Sequence, residues 1–469
     1  MRSSSTPPGA WRALRDALDG TVLLPADDGY ESARPLYNGR FAHLRPAAVA
    51  YPEHGADVAE CLDLARRHGV PVALRSGGHS YAGWSSGTGR LVVDVGRMAR
   101  VRVDGDTAVV GAGTRLGTVY DLLARQGVTV PAGTCPTVGI AGLTLGGGHG
   151  VMSRAYGLTC DNLVGATLVT ADGREVGCDA ERDPELFWAL RGGGGNMFGV
   201  VTGLRFRTHP AGRTTSADLT WPWRDARRVL ARWQEWALSL PDHVWSALRL
   251  VSASDGPTVA ATVFSLGDRD ELERLIDALP GGTRDADVRE EPHADAMRRL
   301  GGDQGGERDG EQDGEPGPAA PHHYDVRSQF LPGLLSPAGV DAAVGAVAAA
   351  GPGIEAVVAL VALGGATNRV GRDRTAFVHR DSRFLVQHEA YWTPGTTSSD
   401  APPERAAGDW LERVHAALRP YASGEAYQNV PDPRLADWAR AYYGDAVPRL
   451  RRVKSRLDPD RMFSHPHTI

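Results

Sequence analysis

Two nucleophilic side chains stand in glycine-rich loops, and packing alone has little reason to place the second of them, a cysteine, in its turn. His79 follows two glycines in R-S-G-G-H-S (75–80), and Cys135 sits in G-T-C-P-T-V-G (133–139). A lone loop histidine or a lone thiol is ordinarily unremarkable. A neutral imidazole and a thiolate are, however, both nucleophiles, and either can serve chemistry when a loop presents it to a ligand. The other cysteines are Cys61, Cys160 and Cys178, and none of the four forms a C-x-x-C pair. The pattern therefore does not read as a structural zinc site, and no metal is expected. Cys61 falls on a helical face and is expected to pack as a small hydrophobe. A third group lies in FLVQHEAYW (384–392), where strand alternation puts Gln387, Glu389 and Tyr391 on one face. Glu389 there is either a carboxylate base or a solvent-facing acid. His149, in G-G-G-H-G, either moves protons near neutral pH or contacts a ligand. Tyr81 and Tyr156 read as hydrogen-bonding or packing residues.

The elements that must position these groups follow from periodicity. Three glycine-rich stretches, 75–89, 131–150 and 191–203, let backbone approach a ligand closely and offer free N–H groups to an anion. They suit a dinucleotide, although tight turns between short strands explain any single one equally well. None is a G-x-G-x-x-G opening a helix, and no G-x-x-x-x-G-K-[ST] loop occurs. From about residue 47 to 210 the pattern is α/β with many short strands. ADVAECLDLARRHG puts Val58, Cys61, Leu62 and Ala65 on one helical face and ends at Gly69. VPVAL is a strand running into the His79 loop, and LGTVYDLLARQG is a second helix. NLVGATLVTADGREV is a strand pair turning at Asp172-Gly173. DPELFWALRG is a helix with Asp183 as cap and Pro184 in its first turn.

After Pro210 a Trp-rich helix (224–240) precedes strands at VWSALRLVSA and TVAATVFSL and a helix near 269–279. Residues 301–321 are acidic and rich in Gly and Pro, and are expected to form a disordered loop. Strands resume at IEAVVALVAL and RFLVQHEAYW, with helices at 340–350, 404–418, 433–442 and 447–457.

The chain has 469 residues, 42% hydrophobic, with a formal net charge of −6. That length accommodates two substantial domains. The acidic balance, with no basic stripe, argues against nucleic acid as a partner. The first residues lack the apolar core of a secretory signal, and no run approaches a membrane span; a cytoplasmic location is expected.

These loops together resemble the berberine-bridge-enzyme-like oxidases of the vanillyl-alcohol-oxidase (PCMH-type) flavoprotein superfamily. R-S-G-G-H-S resembles the loop whose histidine joins the 8α-methyl of FAD, and G-T-C-P-T-V-G-I-A-G the loop whose cysteine joins C6. Y-Q-N-V-P-D (427–432), Y-Y-G (442–444) and the 449–463 segment resemble the closing segment of the family. Order and spacing agree over about residues 40–210 and 380–469. The resemblance implies an α+β fold: a PCMH-type FAD-binding domain at 1–212, a substrate-binding domain at 213–419 with an antiparallel sheet backed by helices, and a segment at 420–469 returning to the FAD domain.

It further implies FAD held by His79 and Cys135 and bedded on Arg75, Ser76, Gly77, Gly78 and Ser80. The second loop contributes Thr134, Val138, Gly139, Gly142, Gly146, Gly147 and Gly150. Gly199, Val201, Tyr427 and Asn429 complete the bed. The small Val138 takes the position that leaves oxygen access open, which favours O2 as acceptor and hydrogen peroxide as product. Gln387 matches a position facing the substrate side of the flavin, and His149 replaces a common tyrosine. Many members carry Y-x-N-Y, whose second tyrosine is the usual base; here Val430 stands in its place. The implied function is oxidation of an alcohol or related C–H group on a small molecule, secondary metabolites among the candidates, without nucleic acid or membrane as partner. A dehydrogenase using another acceptor and a catalytically silent flavin-binding protein are the alternatives.

Overall fold

The computed structural model describes residues 6–279, 285–303, 323–394 and 402–469. Of the acidic stretch expected as a loop, residues 301–303 close the helix His293–Asp303, and the remainder lies outside the described residues.

Short apolar runs in the first half build two sheets. A four-stranded sheet has the order Thr21–Leu23, Ala48–Tyr51, Leu91–Asp94, Val72–Arg75, and its last three strands are parallel. Parallel pairing needs a crossover, which the helix Gly55–His68 supplies. Its apolar stripe of Val58, Cys61, Leu62 and Ala65 is buried, and Gly69 ends it in the left-handed conformation at φ 64°. A five-stranded antiparallel sheet runs Val101–Asp104, Thr107–Gly111, Val200–Arg207, Leu163–Val169, Glu175–Asp179. Its last hairpin turns at Asp172-Gly173 as the sequence predicts, with Gly173 at φ 82°.

The second half forms an antiparallel sheet, seven-stranded among the described residues. Its order is Asp285–Pro292, Arg213–Pro222, Gly256–Ser265, Val244–Ala253, Glu355–Ala362, Phe384–Trp392, His323–Leu331. Alternation divides its faces. Leu248, Leu250, Val358, Phe384 and Val386 pack into one apolar core with the helices Ala226–Ser239, Pro337–Ala348 and Pro403–Leu418. Trp245, Ala247, Val361 and Leu385 face the other way and join the core of the first half.

Three elements differ from expectation. The strands Asp285–Pro292 and His323–Leu331 are the two edges of this sheet and carry the polar composition that edges favour, so their alternation is weak. The helix expected at 433–442 begins only at Trp438. Upstream of it, Asp432 accepts hydrogen bonds from the backbone N–H and the Nε of Arg434, holding a turn.

Arg154, buried in a short helix of the first half, bridges to the second. Its guanidinium donates to the carbonyls of Leu240 (2.7 Å), Val244 (2.9 Å) and Leu363 (2.6 Å). These carbonyls flank the strands Val244–Ala253 and Glu355–Ala362. Arg154→Met leaves three buried acceptors unpaired and is expected to destabilise the chain by roughly 3–5 kcal/mol. Chemical denaturation checks this; a change under 1 kcal/mol (about the worth of one neutral hydrogen bond) would refute the docking role.

Candidate functional site

The strand Val72–Arg75 delivers the His79 loop directly. Arg75 is buried, and its guanidinium is committed to Asp94 and to the carbonyl of Ala33 (2.7 Å), so that side chain serves the architecture. Ser76 Oγ donates to the carbonyl of Ala112 at 2.7 Å. The loop then presses against the second loop. A Cβ on Gly77 would collide with the amide nitrogen of Gly139, and one on Gly139 with Ser76 Oγ and the amide of Gly77. Only glycine allows this approach at either position.

The contact brings His79 and Cys135 to one cavity of 460 Å³. His79 stacks on Tyr37, ring centroids 3.9 Å apart. Burial, with Arg115 nearby, depresses its pKa from 6.5 to about 3, so the imidazole is neutral and nucleophilic across the physiological range. Cys135 is half-buried, with Sγ 3.5 Å from Thr137 Oγ1. The other three cysteines are buried, and burial pushes the thiols of Cys61 and Cys178 up to about 12. Cys135 is thus the cysteine open to chemistry. Beside these residues, a Cβ on Gly142 or Gly195 would meet nothing within 4 Å, although both glycines line the cavity. The loops form a backbone cradle with free space above it, a shape that suits a flat ring system with a pyrophosphate tail.

Ser76, Gly77, Gly78, Ser80, Tyr81, Thr134, Val138, Gly139, Gly150, Gly199 and Val201 also line the cavity. Gly146 and Gly147 do not. They allow Asn429 and Phe377, respectively, to pack close behind the loop. Tyr427 and Asn429 reach the cavity and clamp the same loop from the C-terminal segment. Tyr427 Oη accepts hydrogen bonds from the N–H groups of Gly148 (3.0 Å) and His149 (3.3 Å) and from Asn429 Nδ2 (3.0 Å). Burial raises its phenol pKa to about 12. Val430 lines the cavity and is buried. Tyr156 stacks on His209 outside it.

The large sheet supplies the opposite wall. Gln387, Glu389 and Tyr391 share the cavity-facing side of Phe384–Trp392, as the alternation predicts. Tyr391 donates its phenolic proton to Glu389 Oε2 at 2.7 Å. Burial and the neighbouring charge of Glu389 raise the Tyr391 phenol well above its usual range. Tyr81 is raised likewise by burial, with Glu389 and Cys135 adding to the shift, so both walls act on the same enclosed space. His149 accepts a hydrogen bond from Trp245 Nε1 at Nε2 (3.4 Å), and burial lowers its pKa to about 4.

Sequence reasoning missed Tyr37, Trp84, Trp245, Arg249, Tyr324 and His465, all of which line the cavity. Trp245 and Arg249 were discoverable, because alternation along VWSALRLVSA puts them on one face with Ala247. Tyr324 lies on an edge strand that was not read as a strand.

Neutral, partly buried histidines make stability depend on pH. The folded-state values for His79 and His149 lie below the unfolded value of 6.5, so the unfolded chain takes up protons first as pH falls. Stability contributed at neutral pH is therefore lost from about pH 6.5 downward, to about 4 for His149 and about 3 for His79. In denaturant unfolding of the flavin-free chain, the loss between about pH 7 and pH 5 is expected to be roughly 1–2 kcal/mol smaller in His149→Gln. An identical pH dependence in both proteins would contradict it.

Comparison with known proteins agrees with this geometry. A family model described as "FAD binding domain" matches residues 46–179, and one described as "Berberine and berberine like" matches residues 426–469. The uncharacterized FAD-linked oxidoreductase YgaK of Bacillus subtilis (strain 168) is 33% identical, covering 96% of this chain and 97% of that protein. The chitooligosaccharide oxidase of Gibberella zeae is 28% identical, covering 92% and 89%. The solved structure of wild-type BBE-like 1 from Physcomitrella patens superposes with a TM-score of 0.85 at 29% identity, covering 98% of each chain.

Proposed function

Because the chain belongs to the berberine-bridge-enzyme-like FAD-linked oxidoreductases, we propose that it is an oxidase of a small molecule whose FAD is tethered twice, through His79 to the 8α carbon and through Cys135 to C6. The observation that carries this reading is the opening of both nucleophiles onto the one cavity that Glu389 faces from the opposite wall. In this reading residues 1–212 and 420–469 hold the cofactor and residues 213–419 the substrate.

Held by these loops, FAD would supply a hydride acceptor for an alcohol or related C–H group and a route for the electrons to dioxygen, with hydrogen peroxide as product. The neutral His79 imidazole is in the protonation state that attachment requires. Glu389 takes the proton from the substrate hydroxyl. Its partner Tyr391 orients the carboxylate through the 2.7 Å hydrogen bond, and Gln387, on the same face, orients the substrate. His149 is the less available base, because the Trp245 indole N–H occupies its Nε2 lone pair. The buried Val430 brings no phenol to the cavity, which makes a sugar a less suitable substrate than a smaller alcohol. Val138 leaves room for dioxygen to reach the ring.

Acid precipitation of the purified protein tests the tethers: the yellow chromophore is expected to stay with the polypeptide, and free flavin in the supernatant would refute them. Cys135→Ala is expected to alter the absorption spectrum while His79 still retains the flavin. Glu389→Gln is expected to lower kcat by about 10²–10⁴-fold. Unchanged turnover would move the base elsewhere, and turnover in air without peroxide would mean a dehydrogenase.

A further inference from the structure

The cavity contains a cation that the protein satisfies only in part. Arg249 lies on Val244–Ala253, and its Cα is paired across the sheet with Ala359, which in turn pairs with Gln387. The small Ala359 side chain lets the guanidinium extend toward the Phe384–Trp392 strand. There it approaches Glu389, with Nη2 3.8 Å from Oε2, too far for a hydrogen bond. Among the described residues the Arg249 Nε is buried without a hydrogen-bond partner. The surrounding wall is largely apolar: Trp245, Ala247, Ala359 and Val361.

A guanidinium stays charged at every physiological pH and presents a planar fork of donors. Leaving a buried donor of a charged group unpaired costs about 1–3 kcal/mol or more, so such a group is retained where a ligand completes it. The acceptor that matches the fork is a carboxylate, bound through two parallel hydrogen bonds. The other cation lining the cavity, Arg75, is already paired with Asp94. His79, His149 and His465 are held neutral by burial, with pKa values of about 3, 4 and 3, and burial lowers the pKa of the fourth cavity histidine, His467, as well. Arg249 is therefore the anion-recognition point of the cavity.

Building on the oxidase reading, we infer that the substrate is a small hydroxylated carboxylic acid whose carboxylate binds Arg249 and whose oxidisable carbon lies a few bonds away, within reach of Glu389. The short distance from Arg249 to Glu389 sets that spacing. Arg249 acts as a specificity residue, selecting an acid over the corresponding amide or alcohol.

The test titrates the holoenzyme with benzoate and with benzamide, its neutral counterpart, following both the flavin absorption and the fluorescence of the tryptophans, Trp245 among them. Benzoate is expected to bind at least about tenfold more tightly than benzamide, the discrimination a charge-assisted bidentate pair supplies. Arg249→Met is expected to abolish that preference while leaving benzamide affinity unchanged, and Arg249→Lys to retain part of it. Equal affinities for the two probes in the unmutated protein would overturn the inference, and so would an Arg249→Met variant that weakens both alike. The comparison of probes in the unmutated protein stands even if Arg249→Met fails to fold. Flavin released from the same preparations by acid would sink the double tether alone, because the tryptophan readout still reports the preference for benzoate.

Discussion

The site depends on one backbone contact, the approach of Gly77 to Gly139. Two loops about sixty residues apart in sequence meet so closely that a Cβ on either glycine would strike the backbone of the other. His79 stands two residues beyond the first glycine and Cys135 four before the second, so the contact fixes the two nucleophiles relative to each other before any ligand arrives. The strand Val72–Arg75 anchors one loop by parallel pairing and by the buried Arg75–Asp94 ion pair. The other loop is held by the Tyr427 hydroxyl, which gathers three donors. The C-terminal segment is thus part of the wall that shapes the cavity.

The opposite wall is a consequence of strand alternation under two different burdens. One face of the large sheet buries Leu, Val and Phe against helices, and the other turns Trp245, Arg249, Gln387, Glu389 and Tyr391 to the cavity. Register makes the two inseparable, because a slip of one residue would turn the ionisable groups into the apolar core. Arg154 holds that register in place relative to the glycine loops by bonding the carbonyls that flank two central strands.

The parts of this arrangement legible in the sequence are those with a local cause. Glycines beside His79 and Cys135, the alternation around Glu389 and the capped helix at Gly55–His68 each follow from neighbours in the chain. What stayed hidden has non-local causes. The edge strand His323–Leu331 looks polar because Arg327 pairs with Asp432 and Gln329 with His388, partners supplied by other elements. Gly146 and Gly147 resemble their ligand-facing neighbours in sequence, yet their close approach serves Asn429 and Phe377. The Tyr37 stack on His79 and the reach of Arg249 over Ala359 require the assembled fold.

Burial also decides which groups carry charge in the cavity, and this narrows the chemistry. Removing water disfavours imidazolium and phenolate alike, so His79, His149 and His465 are neutral bases of low strength, while Tyr81, Tyr324 and Tyr391 keep their protons. Val430 brings no phenol to the wall, and the Tyr427 hydroxyl serves as a hydrogen-bond acceptor for backbone. The sheet-borne Glu389, which accepts a hydrogen bond from Tyr391 and lies 3.8 Å from the Arg249 cation, is the group our proposal assigns as proton acceptor. In the proposed reading, proton transfer and substrate recognition belong to the same short stretch of sheet, and the glycine loops serve the cofactor.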